Sequence, residues 1–193
     1  PVTGFTEGDD GIWYADANQV TLSKTLEVIA ADNNSDDVVI TFSIKDNAGN
    51  VITETHQLKI DIDKPAILVS FDKNTPNKIV GNKGYFAESR IATITIVERA
   101  SNFNAEKATA GIIVKAVKAD GTTVNIGNIV GAWEPTEVTQ TGETKYVANV
   151  SYVANANYTV TISYTDEAGN INTAVDYGTS ATPTEFAVDS TKP

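Results

Sequence analysis

Apolar and polar residues alternate with a period of two along much of this chain, the spacing of strands that bury one face. In 38–44, Val38, Ile40, Phe42 and Ile44 fall on one side and Thr41 and Ser43 on the other. In 158–164, Tyr158, Val160, Ile162 and Tyr164 oppose Thr159, Thr161 and Ser163, and in 92–96, Ala92, Ile94 and Ile96 oppose Thr93 and Thr95. Shorter extended runs are predicted at 25–30, 51–60, 66–71, 112–118, 146–152 and 184–189. Helical spacing is scarce, and only "NAEKATA" at 104–110 predicts one or two turns. The pattern predicts an all-β protein.

Two of these strands run into the same five-residue motif. "FSIKDNAGN" at 42–50 and "ISYTDEAGN" at 162–170 align at Ser43/Ser163, Asp46/Asp166, Ala48/Ala168, Gly49/Gly169 and Asn50/Asn170, with the buried face in the same phase. "DIDKP" at 61–65 and "DSTKP" at 189–193 form a second pair, and Pro1, Pro65 and Pro193 read as three copies of one boundary. The chain therefore divides into tandem units, 1–64 and 65–193. The larger unit carries extra Gly, Asn, Thr and Pro in 72–84, 99–111, 125–145 and 176–183, read as loops. Short strands, polar turns and a proline-stiffened boundary predict two antiparallel β-sandwiches of the immunoglobulin-like kind in series. The expected shape is an elongated rod with limited bending.

Composition narrows the setting. The 193 residues include 25 acidic and 14 basic side chains, a formal charge of -11, which disfavours nucleic acid and anionic membranes as partners. The absence of Cys removes thiol catalysis, disulfides and thiolate zinc sites, and the absence of Met makes Pro1 read as an internal position of a longer protein. No run has the length of a membrane span. A monomer is the expected state.

Asp at the head of Asp-x-Ala-Gly-Asn can accept a hydrogen bond from the N–H two residues on, while Gly takes a positive φ, so a hairpin turn explains the motif without chemistry. A metal site is the rival reading and is compatible with the turn. In a sandwich of this kind the hairpin before the last strand lies where the chain enters, which would bring Asp166 and Glu167 near the linker acids Asp61 and Asp63 and offer calcium its oxygen ligands.

"YTVTISYTDEAGN", "FAVDSTKP", "RIATITIVE" and "SNFNAEKA" resemble segments of the bacterial Ig-like domains that stand in long tandem arrays on secreted and cell-wall proteins, notably of gut anaerobes. The resemblance covers most of 66–193 and, more weakly, 38–65. It implies a large exported parent at the bacterial cell surface, with neighbouring Ig-like domains in the same chain. It leaves the role open, since such domains include stalk spacers, adhesins, enzyme accessory domains and modules that bind host proteins such as immunoglobulins.

The other constellations carry less. Asp32, Asn34 and Asp36 have the spacing that opens an EF-hand loop, but Asp37 stands where glycine is needed and Ser43 where a bidentate Glu is needed. His56 is the sole histidine and lacks a nucleophile or a second metal ligand. No catalytic residues are read and no enzymatic activity is expected. Trp133, Tyr85, Phe86 and Trp13 are large aromatics outside the clear strands. They are candidates for stacking on a glycan or anchoring a host protein, against the alternative that they fill sandwich edges.

Overall fold

The computed structural model describes residues 6–7, 9, 13–14, 34–45, 48–99, 103–138 and 143–191. Its strands in chain order are β1 (Thr6–Glu7), β2 (Trp13–Tyr14), β3 (Asn34–Lys45), β4 (Val51–Asp61), β5 (Ala66–Phe71), β6 (Lys78–Val80), β7 (Lys83–Phe86), β8 (Arg90–Glu98), β9 (Ile112–Val117), β10 (Glu134–Val138), β11 (Thr144–Tyr152), β12 (Ala156–Ile162), β13 (Tyr164–Thr165), β14 (Ile171–Asn172), β15 (Val175–Asp176) and β16 (Glu185–Val188). The helix among them, α1, spans Ala105–Ala110 behind an Asn104 cap whose side chain accepts from the Lys107 N–H at 3.0 Å. The protein is all-β in character.

Alternation becomes a core between residues 66 and 188. One five-stranded sheet runs β10, β11, β8, β5, β15, and a second runs β6, β7, β16, β12, β9. Phe71 and Tyr152 of the first meet Phe186 of the second edge-on, with ring centroids 6.3 and 4.9 Å apart. In β12 the pattern is kept residue by residue: Tyr158, Val160 and Ile162 are buried while Thr159 and Thr161 are exposed. Two pairings are parallel, β15 with β5 and β7 with β16. Parts of the stretches read as loops are thus strands: β6 and β7 lie in or beside 72–84, and β10 lies in 125–145. Their few residues and the Pro135 edge position gave the period-two pattern too little length to register.

Before residue 62 the described residues form two antiparallel strand pairs. β1 pairs with β2, and β3 pairs with β4 over a long antiparallel register broken by a bulge between Ser35 and Val38. Asn34 to Asp37 belong to that strand, which leaves the EF-hand spacing no loop to occupy. Cross-strand partners share a face, so Phe42, Ile44 and Ile52 stand together, and Ile44 and Ile52 are 74% and 73% exposed. His56 sits opposite Ile40, with its ring 6.0 Å from that of Phe42. The strand predicted at 25–30 lies outside the described residues.

Candidate junction site

The site begins with the phase of β8. Its inward residues are Arg90, Ala92, Ile94, Ile96 and Glu98, so the strand that supplies the centre of the core carries an inward charge at each end. Glu98 is only 4% exposed, and its Oε1 has no hydrogen-bond partner. β4 ends at Asp61, and the turn after β13 begins at Asp166, which is fully buried. One carboxylate oxygen from each of Asp61, Glu98 and Asp166 lies within 4.8 Å of the other two.

The turn itself explains why Asp166 stays there. Its backbone N–H donates to the Asn170 carbonyl at 3.1 Å, and the Asn170 N–H returns to Asp166 Oδ1 at 2.8 Å. The carboxylate therefore accepts from the residue four positions on, and the expected bond two positions on is replaced. Gly169, at φ 94°, swings the chain so that Asn170 comes back opposite Asp166. Gly49 in the first copy of the motif has the same φ of 94°.

Asn170 does more than close the turn. Its side-chain amide donates to Asp166 Oδ2 at 2.9 Å and to the backbone carbonyl of Asp61 at 3.1 Å. Two residues on, the Asn172 amide donates to the Pro65 carbonyl at 2.7 Å. Both ends of segment 61–65 are thus fastened to the β13–β14 hairpin, while Asp61 Oδ1 accepts from the Asp63 N–H at 3.1 Å.

Electrostatics set Glu98 apart. Burial, then the charges of Asp166 and Asp61, push its carboxyl up from an ordinary 4.5 to about 8, with the backbone N–H of Arg99 acting the other way. Two ionised carboxylates less than 5 Å apart repel by about 3 kcal/mol at an effective dielectric constant near 20. A cleft of about 200 Å³ beside Asp61 and Glu98 is lined further by Asp63, Lys64, Val97, Arg99 and Glu143. Pockets for drug-sized ligands usually enclose roughly 300–1,000 Å³, and this cleft is smaller.

The residues expected at a metal site separate here. Asp61 and Asp166 converge, Asp63 stands at the rim with Arg99 3.8 Å away, and Glu167 faces elsewhere. Glu167 accepts from the Asn104 amide at 2.7 Å and from Lys107 Nζ at 3.0 Å, which holds its carboxyl below the usual range. Adjacent residues in a turn diverge, so Asp166 inward sends Glu167 outward. Glu98 takes the third position. Extending the phase of Ala92, Ile94 and Ile96 by one step puts it on the inward side of the strand, but the phase alone does not say that a charged strand end is buried.

The aromatic candidates divide similarly. Phe86 is a core residue, 2% exposed, with its ring 6.0 Å from Phe186. Tyr85 alternates to the other face of β7 and lines a shallow cleft with Asn155, Asn157 and Asp189. Trp133 is half-buried against Phe103 at 5.3 Å, and its Nε1–H donates to Thr109 Oγ1 at 3.0 Å. Its flank borders an open, mostly apolar groove with Ala105, Ala110, Gly131 and Ala132. The side chain of Trp13 lies outside the described residues.

No protein-family model matches the chain, and no curated protein or solved structure matches it.

Proposed function

We propose that residues 1–64 and 65–193 are two immunoglobulin-like domains in tandem, joined by a short proline-containing linker. Together they would form a non-catalytic spacer or stalk in an adhesin-like array of a bacterial surface or secreted protein. The strand order of the second unit supports the fold: β5, β8 and β11 are neighbours in one sheet, β9, β12 and β16 in the other, and β7 adds in parallel to β16. The observation that carries the role is the pair of hydrogen bonds that the side-chain amides of Asn170 and Asn172 donate to the carbonyls of Asp61 and Pro65. They remove freedom from the segment between the units, which is what a spacer of defined length needs.

Small-angle scattering of the intact chain tests this reading. An elongated particle, whose distance distribution broadens in the double variant Asn170→Ala/Asn172→Ala, is expected. A particle with the units folded against each other, or one whose bending ignores both asparagines, would reject the spacer.

A second reading, recognition of a host glycan or protein, is favoured by the groove beside Trp133. Binding in a glycan or serum-protein screen that Trp133→Ala removes, with the fold intact, would move the role from spacing to recognition.

A further inference from the structure

We propose that Asp61, Glu98 and Asp166 form a binding site for a calcium-sized, oxygen-preferring divalent cation. Three oxygens within 4.8 Å of one another stand close to the spacing at which a single ion, with bonds of about 2.3–2.6 Å, contacts all three. The donor set is carboxylate throughout, with neither His nor Cys, which favours hard cations over zinc or copper.

Acidic groups cluster on many surfaces without binding anything, and here Glu98 makes the difference. It is 96% removed from solvent by its 4% exposure, it points into the cluster, and its Oε1 has no partner. Buried side-chain oxygens are almost always satisfied, and an ion is one of the few partners that would satisfy this one while neutralising its neighbours. The other two ligands are held in place already. Asp166 is fixed by Asn170 through both oxygens, and Asp61 is the residue whose carbonyl the same Asn170 holds. Little side-chain freedom would be lost on binding, which favours affinity.

The three ligands come from separate parts of the chain: the end of β4, the end of β8 and the turn after β13. A cation would bind only where all three meet, so its binding energy adds to folding and to the fixing of Asp61 against the second unit. This inference is independent of the spacer reading, because a cation can bind here whatever the protein's role.

The test is a titration of the intact, chelator-treated chain with calcium, and with magnesium for comparison, followed by calorimetry and thermal unfolding. Calcium at about one hundred times its Kd should raise the folded-to-unfolded ratio about one-hundredfold. Magnesium should act more weakly, because it demands shorter bonds and retains its water. Glu98→Gln and Asp166→Asn should abolish the calcium response, whereas Glu167→Gln should leave it whole.

Terbium provides a second readout that does not depend on stability. Tyr164 is close enough to feel the charges of Glu98 and Asp166, so its excitation should sensitise terbium emission in the parent chain. Glu98→Gln should remove that emission and calcium should displace it. The absence of any calcium response, a full response in Glu98→Gln, or a loss confined to Glu167→Gln would each overturn the site.

Discussion

β8 buries one ionisable side chain at each end, and the two ends treat them in opposite ways. Arg90 lies 3.6, 4.3 and 4.6 Å from the ring centroids of Phe71, Phe86 and Phe186. Its guanidinium donates to the carbonyls of Lys73 and Thr182 and to Ser180 Oγ. At the other end Glu98 faces two more carboxylates and leaves one oxygen unpartnered. A planar cation can be absorbed by aromatic faces and backbone carbonyls, both of which a β-sandwich has in supply. A buried anion needs N–H donors or a positive ion, and strand ends offer few of the former. The Arg90 end is therefore complete as a piece of structure, and the Glu98 end is poised for a ligand.

Removing the guanidinium is the severest way to break this contrast. Arg90→Ala should cost about 3–5 kcal/mol in denaturant unfolding, since it opens a cavity among three rings and strands two carbonyls. Arg90→Lys should recover only part, because an ammonium cannot reproduce the fork or the stacking.

The opposite end should respond with the opposite sign. Glu98→Gln in chelator at pH 8.5 should stabilise the chain by about 1–3 kcal/mol, since the amide can donate to the neighbouring carboxylates. A pH series sharpens the point. The folded-state value of about 8 lies above the ordinary 4.5, so the native chain holds a proton that the unfolded chain releases. The Glu98 contribution is fully present below about pH 4.5 and is lost as pH rises through about 8. The difference in stability between the parent and Glu98→Gln should therefore grow with pH across that window, and a flat difference would contradict the assigned burial.

Much of the molecule was legible in the alternation. The inward phases of 92–96 and 158–164, the helix at 104–110 and the turn glycine all stand where the pattern places them. The site was legible only in part. Asp61 and Asp166 were reachable from the repeated motif, but Glu98 reads as the polar end of an apolar strand, and a charge at that place is ordinarily taken as solvated. Its burial depends on segment 61–65 and the β13–β14 turn covering the strand end, a tertiary fact that no local pattern carries.

A smaller effect is expected at the fastening. Asn170→Ala should cost about 1–2 kcal/mol, because one side chain serves both Asp166 and the Asp61 carbonyl, while Asn50→Ala gives the matched comparison in the first copy of the motif. The least is expected at the exposed neighbour: Glu167→Gln should leave the denaturation midpoint unchanged within error, as solvated ion pairs usually do. A large loss there would mean that the outward carboxylate, and not Glu98, organises this end of the sheet.

The two parallel pairings bear on how residues 66–188 would respond to tension. β5 and β7 belong to the first part of this stretch, and their parallel partners β15 and β16 to its last part. A pull applied at Ala66 and Val188 drags each such pair lengthwise past itself, so its hydrogen bonds are loaded together in shear and cannot open one at a time. Antiparallel hairpins pulled from their open ends would unzip. Resistance to extension would then reside in a few short strands, and the rate of forced unfolding should be set by the three-residue register of Phe186, Ala187 and Val188 against Gly84, Tyr85 and Phe86.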